Sequence, residues 1–177
     1  MPLPVTAPDA AWIDNRAALD EWLAAVPAGS LIGLDTEFMR RNTFYPQLAL
    51  LQLGWEKHYA LVDPLACHIG NGLLTSLGQA STITVMHSAS EDLEALSAHL
   101  PDGPGTLFDT QIAAAFAGMG LGISYRALVA ELVGDELDKG ETRSDWLQRP
   151  LTESQRNYAT LDVVHLKAIH HQLAERL

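Results

Sequence analysis

A single cysteine, Cys67, stands in 177 residues, so no disulfide can close within the chain, and the residue reads as a small buried apolar side chain rather than a reactive thiol. No apolar run approaches the roughly 20 residues that a bilayer-spanning helix needs. The opening Met1-Pro2-Leu3-Pro4-Val5-Thr6 has neither the basic nor the apolar region of an export leader. A cytoplasmic protein without membrane contact is the expectation. Basic residues are scarce too: 11 Lys and Arg against 22 Asp and Glu give a formal net charge of -11, which argues against broad, sequence-independent adherence to nucleic acid. A local site stays open, because seven of the 11 cations lie between Arg126 and the C-terminus, although eight acids up to Asp162 share that segment.

What is present fits one domain spanning residues 1–177, with 47% hydrophobic residues to build a core. Asp14 reads as the N-cap of a helix through Ala17, Leu19, Trp22 and Leu23, ended by Pro27-Ala28-Gly29. An apolar strand from Leu31 to Phe38 follows. Strands from Gln47 to Leu53 and from His58 to Val62 flank the short turn Gly54-Trp55-Glu56-Lys57, and three strands joined so closely predict an antiparallel meander. The pattern then alternates: a helix around Leu73 to Leu77, a strand from Thr82 to Met86, and a helix from Glu91 to about Leu100 predict parallel pairing through crossovers. Ser88 and Glu91 have capping-box spacing, which places Asp92 in the first turn beyond a strand end, where α/β sheets place their sites. A strand from Leu107 passes into a helix through Phe116, and Ser124 caps another containing Leu128, Val129 and Leu132. After an irregular stretch from Gly134 to Pro150, Thr152 and Gln155 form a capping box for one final helix to the C-terminus.

Two features carry chemistry. In an extended strand Asp35 and Glu37 point to one face, and two carboxylates so close need a cation, for which a divalent metal is the simplest candidate. The plain alternative is a polar strand end entering a loop. On the final helix Tyr158 and Asp162 are four residues apart and share a face. Taken alone, they would be a half-buried ring and a solvated acid.

The order Asp-x-Glu on a first strand, Asp on a helix after a fourth strand and Tyr-x3-Asp on a late helix resembles the DEDD superfamily of 3′-5′ exonucleases, the tyrosine marking its DEDDy branch. Longer strings are similar to the exonuclease domain of ribonuclease D: Leu34-Asp35-Thr36-Glu37-Phe38, Tyr45-Pro46-Gln47-Leu48, Leu51-Gln52-Leu53, Val62-Asp63-Pro64-Leu65 and His87-Ser88-Ala89-Ser90-Glu91-Asp92-Leu93. Asp109-Thr110-Gln111 and the run from Leu137-Asp138-Lys139 through Arg149-Pro150-Leu151 continue the likeness, with Gly140 where a serine is frequent.

The resemblance implies a ribonuclease H-like fold, a mixed five-stranded sheet flanked by helices, in agreement with the meander and crossovers. It implies that Asp35, Glu37, Asp92 and Asp162 hold two divalent ions, Mg²⁺ or Mn²⁺, with Asp35 as the bridge. Two ions about 3.5–4 Å apart stabilise both the attacking and the leaving oxygen at phosphorus. Tyr158, with an ordinary pKa of about 10, would orient the attacking water rather than deprotonate it. The implied substrate is single-stranded nucleic acid with a free 3′ end, RNA favoured, releasing nucleoside 5′-monophosphates. Relatives of this type continue into C-terminal helical domains that help to hold RNA. This chain is expected to be the exonuclease domain alone, which leaves room for a separate RNA-binding partner.

Further residues admit two readings each. His87 could meet a phosphate or be a hydrogen-bonded structural histidine. Phe38 could stack on the terminal base or fill core. Arg143 and Arg149 could hold phosphates or pair with Glu141, Asp145 or Glu153. Asp63 and Asp109 suit turn and capping duty, and Trp146 anchors its loop. Competing functions are a single-stranded DNA exonuclease, a metal hydrolase of small nucleotides, and a non-catalytic nucleic-acid-binding or protein-binding module of the same fold. Against the last stands the presence of all four acids and Tyr158.

Overall fold

Alternation along β2 (Leu31–Met39) divides the molecule. Ile32 and Leu34 join the large core cluster on one face of the sheet, while Gly33, on the other face, lies against the helical layer of Val163 and Leu166. The computed structural model describes residues 5–177. Met1 to Pro4, part of the stretch read above for the lack of a leader, lie outside the described residues. No helix among the described residues is long and apolar enough to cross a membrane.

Before β2 come β1 (Ala11–Ile13) and α1 (Arg16–Ala24). After it come β3 (Gln47–Trp55), β4 (His58–Val62), α2 (Gly70–Leu77), β5 (Ile83–Met86), α3 (Ser90–Leu96), β6 (Thr106–Asp109), α4 (Thr110–Phe116), α5 (Tyr125–Leu132), α6 (Glu153–Val164) and α7 (Leu166–Ala174). The sheet runs β1-β4-β3-β2-β5-β6. The meander β2-β3-β4 is antiparallel, and β5 and β6 add to it in parallel, as expected. The sheet has six strands rather than five, because β1 pairs in parallel with β4 at one edge. Its three residues, of which only Ile13 is buried, carry too little alternation to be read as a strand.

α1, α2 and α3 cover one face through the cluster containing Leu19, Leu23, Leu73, Ala95 and Leu96. α6 and α7 cover the other, α6 over β2, β3 and β4, and α7 over β2 and β5 while it packs on α4 and α5. The expected single final helix is therefore two, broken at His165.

Local signals held in part. Ser124 caps α5, and Thr152 with Gln155 forms the complete capping box of α6. The cap of α1 is Asn15, whose side chain accepts from Ala18 N–H, not Asp14. Ser88 does not cap α3 either: it sits at φ 56°, and its own N–H and that of Ala89 point into the Asp109 carboxylate at 3.0 and 2.8 Å. Asp109 also accepts from Gln111 N–H at 2.8 Å as the cap of α4. One carboxylate thus fastens the starts of two helices, in keeping with the capping duty expected of it.

Candidate active site

β2 delivers Asp35 and Glu37 to the face covered by α6, because residues two apart on a strand share a side. α6 answers with Tyr158 and Asp162, one turn apart. Carboxylate oxygens of Asp35, Glu37 and Asp162 lie within 4.8 Å of one another. With Leu34, Thr36, His87, Tyr125, Tyr158 and Leu166 they line a cavity of about 230 Å³. A second cleft of about 380 Å³, walled by Leu137, Asp138, Gly140 and Glu141, shares Tyr158 and Asp162 with it. An added Cβ at Gly140 would meet the Tyr158 ring at 3.6 Å, an ordinary contact, so a serine would fit there.

Asp92 arrives differently. Thr36, between the two acids, points to the opposite face of β2, and its hydroxyl donates to Asp92 Oδ1 at 2.5 Å. Asp92 is buried at the start of α3 and is not within the tight group of three. Its charge still reaches Asp35, Glu37 and Asp162.

Among the described residues none of these four acids is in an ion pair with a cationic side chain. Burial, then the neighbouring acids, pushes Asp35 well above the usual carboxylate range, Glu37 up to about 9 and Asp162 up to about 8. Burial raises Asp92 to about 6 against the opposing Thr36 hydrogen bonds. Oxygen-only donors, half-buried or buried, of one sign and without a paired cation among the described residues fit a hard divalent ion. The cluster is compatible with divalent metal binding in just that sense. Burial, followed by Asp162, Glu37 and Asp35, also raises Tyr158, so its phenol keeps its proton at neutral pH.

The structure treats the remaining sequence candidates unequally. His87 lines the cavity with both ring nitrogens occupied, Nδ1 by Thr110 Oγ1 at 2.9 Å and Nε2 by the Ile123 carbonyl at 3.0 Å. A carbonyl only accepts, so Nε2 carries the hydrogen and Nδ1 takes the threonine proton. Burial lowers its pKa, and the ring is the neutral, hydrogen-bonded histidine of the plainer reading. Phe38 is half-buried against the large core cluster. Arg143 is exposed and makes no ion pair among the described residues.

Arg149 requires a correction. It is not free for phosphate, nor does it pair with Glu141, Asp145 or Glu153. Its Nε and Nη2 fork onto Asp63 at 3.0 and 2.8 Å, Nη2 also donates to the Ala49 carbonyl at 2.6 Å, and Nη1 donates to the carbonyls of Trp146 and Gln148. Arg149 holds the loop around buried Trp146 to β3 and the end of β4. Asp145 pairs instead with Arg41 at 3.1 Å.

Three residues of the site went unnoticed in the sequence. Thr36 holds Asp92, Tyr125 donates to the Leu161 carbonyl beside Asp162 at 3.0 Å, and Gln52 reaches both strand acids from β3. The alternation of β2 against β3 was a usable signal for Gln52, the one polar residue between Leu48 and Leu53.

The sequence pattern of the 3′-5′ exonuclease family matches residues 10–177. Ribonuclease D of Xanthomonas oryzae pv. oryzae is 49% identical over 167 residues, 94% of this chain and 46% of that protein. Ribonuclease D of Escherichia coli K12 is 45% identical over 156 residues, 88% of this chain and 41% of that protein. The crystal structure of E. coli RNase D, described as an exoribonuclease involved in structured RNA processing, superposes with a TM-score of 0.92 at 41% identity, over 96% of this chain and 45% of that one. The chain spans less than half the length of these relatives.

Proposed function

Because this chain belongs to the 3′-5′ exonuclease family and is ribonuclease D-like over nearly all its length, we propose that it is a single exonuclease domain releasing nucleoside 5′-monophosphates from the 3′ end of single-stranded RNA. The observation that carries this reading is the half-buried group Asp35, Glu37 and Asp162, three carboxylates within 4.8 Å of one another beside Tyr158 and with no cationic side chain paired to them among the described residues.

In this reading Asp35, Glu37, Asp92 and Asp162 hold two Mg²⁺ or Mn²⁺ ions. When bound, such ions supply Lewis acidity at the scissile phosphate and lower the pKa of the attacking water. Asp35 is central: it faces Glu37 along its strand and Asp162 across the cavity. Tyr158, kept neutral by its surroundings, donates or accepts one hydrogen bond and so aims the water without removing its proton. Thr36 fixes the rotamer of Asp92 from behind. Arg143 remains the candidate contact to a phosphate further along the strand.

An oligoribonucleotide labelled at its 5′ end tests this. A ladder shortening from the 3′ end with Mn²⁺ or Mg²⁺, and intact substrate in chelator, is the expected result. Internal cuts, or no ladder with either metal, would overturn the proposal. Equal shortening of the matching oligodeoxyribonucleotide would overturn the preference for RNA.

A further inference from the structure

Gln52 is fully buried in β3, directly opposite Asp35 in the register of the sheet. Its Nε2 lies 3.3 Å from Asp35 Oδ2 and 3.4 Å from Glu37 Oε1. An amide nitrogen has two hydrogens, and here each has one carboxylate to meet. The other end of the same amide, Oε1, is buried with no hydrogen-bond partner among the described residues.

An orphaned buried carbonyl costs free energy that Met or Leu, of similar size, would avoid. The neighbours along the strand, Leu50, Leu51 and Leu53, are all buried and apolar, so packing gives no reason for an amide. What the amide adds is its donor end. It is also uncharged. A lysine or arginine in this slot would neutralise the carboxylates and take the place of a cation, whereas an amide fixes them and leaves their charge intact.

We propose that Gln52 is a positioning residue: its two N–H groups hold Asp35 and Glu37 in the arrangement that receives a divalent cation. This rests on the metal-binding reading of the cluster. The unsatisfied carbonyl is then a local cost retained for the site, a kind of conflict that folded proteins keep at functional positions. Partners that orient metal ligands from behind alter metal affinity by about 10–100-fold when removed.

The test is Mn²⁺ affinity, read from the electron paramagnetic resonance signal of free Mn²⁺, for the metal-stripped wild type, Gln52→Met and Gln52→Asn. Gln52→Met removes both donors at similar volume. Gln52→Asn keeps the amide but withdraws it by one methylene and carries the test if the first variant fails to fold. Affinity at least tenfold weaker, with an unchanged far-ultraviolet circular dichroism spectrum, is the expected result. A purely packing role would instead lower the metal-free melting temperature and leave Mn²⁺ affinity within twofold of wild type, which would overturn this inference alone. Wild type that binds no Mn²⁺ would overturn the metal reading and this inference with it.

Discussion

Asp63, buried, and Asp35, half-buried, are both carboxylates drawn in beside the meander, and their surroundings drive them in opposite directions. Burial would raise Asp63, but the Arg149 fork and the N–H groups of Leu65 and Ala66 outweigh it, and its pKa ends below the usual value. Around Asp35 burial is joined by Asp162, Asp92 and Glu37, and no cation among the described residues answers. A buried charge used for architecture is neutralised within the chain. A cluster of one sign left without a partner is held ready for something the chain does not contain. On this ground Arg149 is not a candidate phosphate contact, while Asp35, Glu37 and Asp162 remain the proposed metal-holding acids.

The contrast breaks most visibly on removing one acid. Asp35→Asn or Asp162→Asn should lower metal-dependent hydrolysis about a thousandfold, several kcal/mol of lost charge stabilisation, while the metal-free melting temperature rises as repulsion is relieved. Single-turnover decay of labelled RNA and thermal unfolding read the two effects. A loss below tenfold would detach that acid from the chemistry.

At the other cluster the sign of the stability change should reverse. Arg149→Met leaves Asp63 buried and unpaired, and should cost about 3 kcal/mol in urea unfolding. A change within about 0.5 kcal/mol, the range of an ordinary surface substitution, would show the fork to be incidental.

Next comes the metal itself. Mn²⁺ at a hundredfold excess over its dissociation constant should add about 2.7 kcal/mol to stability. Without metal, Asp35, Glu37 and Asp162 bind protons more tightly folded than unfolded, so their contribution is fully present below about pH 4 and lost as pH rises through about 8 and 9. Melting temperatures of metal-stripped protein should therefore fall between pH 5 and about 9, and Mn²⁺ should flatten that slope. A slope that Mn²⁺ leaves unaltered would place the titration elsewhere. The Asp63 pair behaves oppositely, losing its contribution only in acid, as pH falls through its depressed pKa.

The smallest effect is expected from Tyr158→Phe, which deletes one neutral hydrogen bond and should slow hydrolysis by about tenfold or less. Loss equal to that of Asp162→Asn, with Mn²⁺ binding intact, would make the phenol a proton acceptor.

Strand alternation and helix spacing are local and periodic, which is why the meander, the shared face of Asp35 and Glu37, and the pairing of Tyr158 with Asp162 were legible in the sequence. Caps are legible at Ser124 and Thr152, whose partners lie three residues on, but the same spacing does not tell Asp14 from Asn15, the actual cap of α1. They were misread at Ser88, whose backbone partner Asp109 is 21 residues away. Distance along the chain also hid the 86-residue link between Arg149 and Asp63, so an arginine among nearby acids looked available. β1 was hidden because three residues carry no period. Asp92 was placed correctly at a strand end, but only the fold shows that it comes from the face opposite its fellow acids, by way of Thr36.

The paired glycines of the central strands have a consequence for the cavity. Gly33 and Gly54 stand opposite each other in the register of β2 and β3. A Cβ on Gly33 would meet Leu166 Cδ1 at 3.2 Å and the Val163 carbonyl at 3.3 Å, and one on Gly54 would meet the Tyr59 ring at 3.2 Å and Val163 Cβ at 3.4 Å. The α6–α7 junction therefore lies close over the bare backbone of Gly33, and Asp162 is the residue before Val163. The gap between Asp162 and Asp35 is in effect a layer thickness, gauged two residues upstream of Asp35 by the absence of a methyl group. A side chain at Gly33 would act as a shim against the Val163 carbonyl, widening the gap by tenths of an ångström, on the scale by which one divalent ion differs in radius from another, whereas one at Gly54 would press first on the Tyr59 ring of the neighbouring strand.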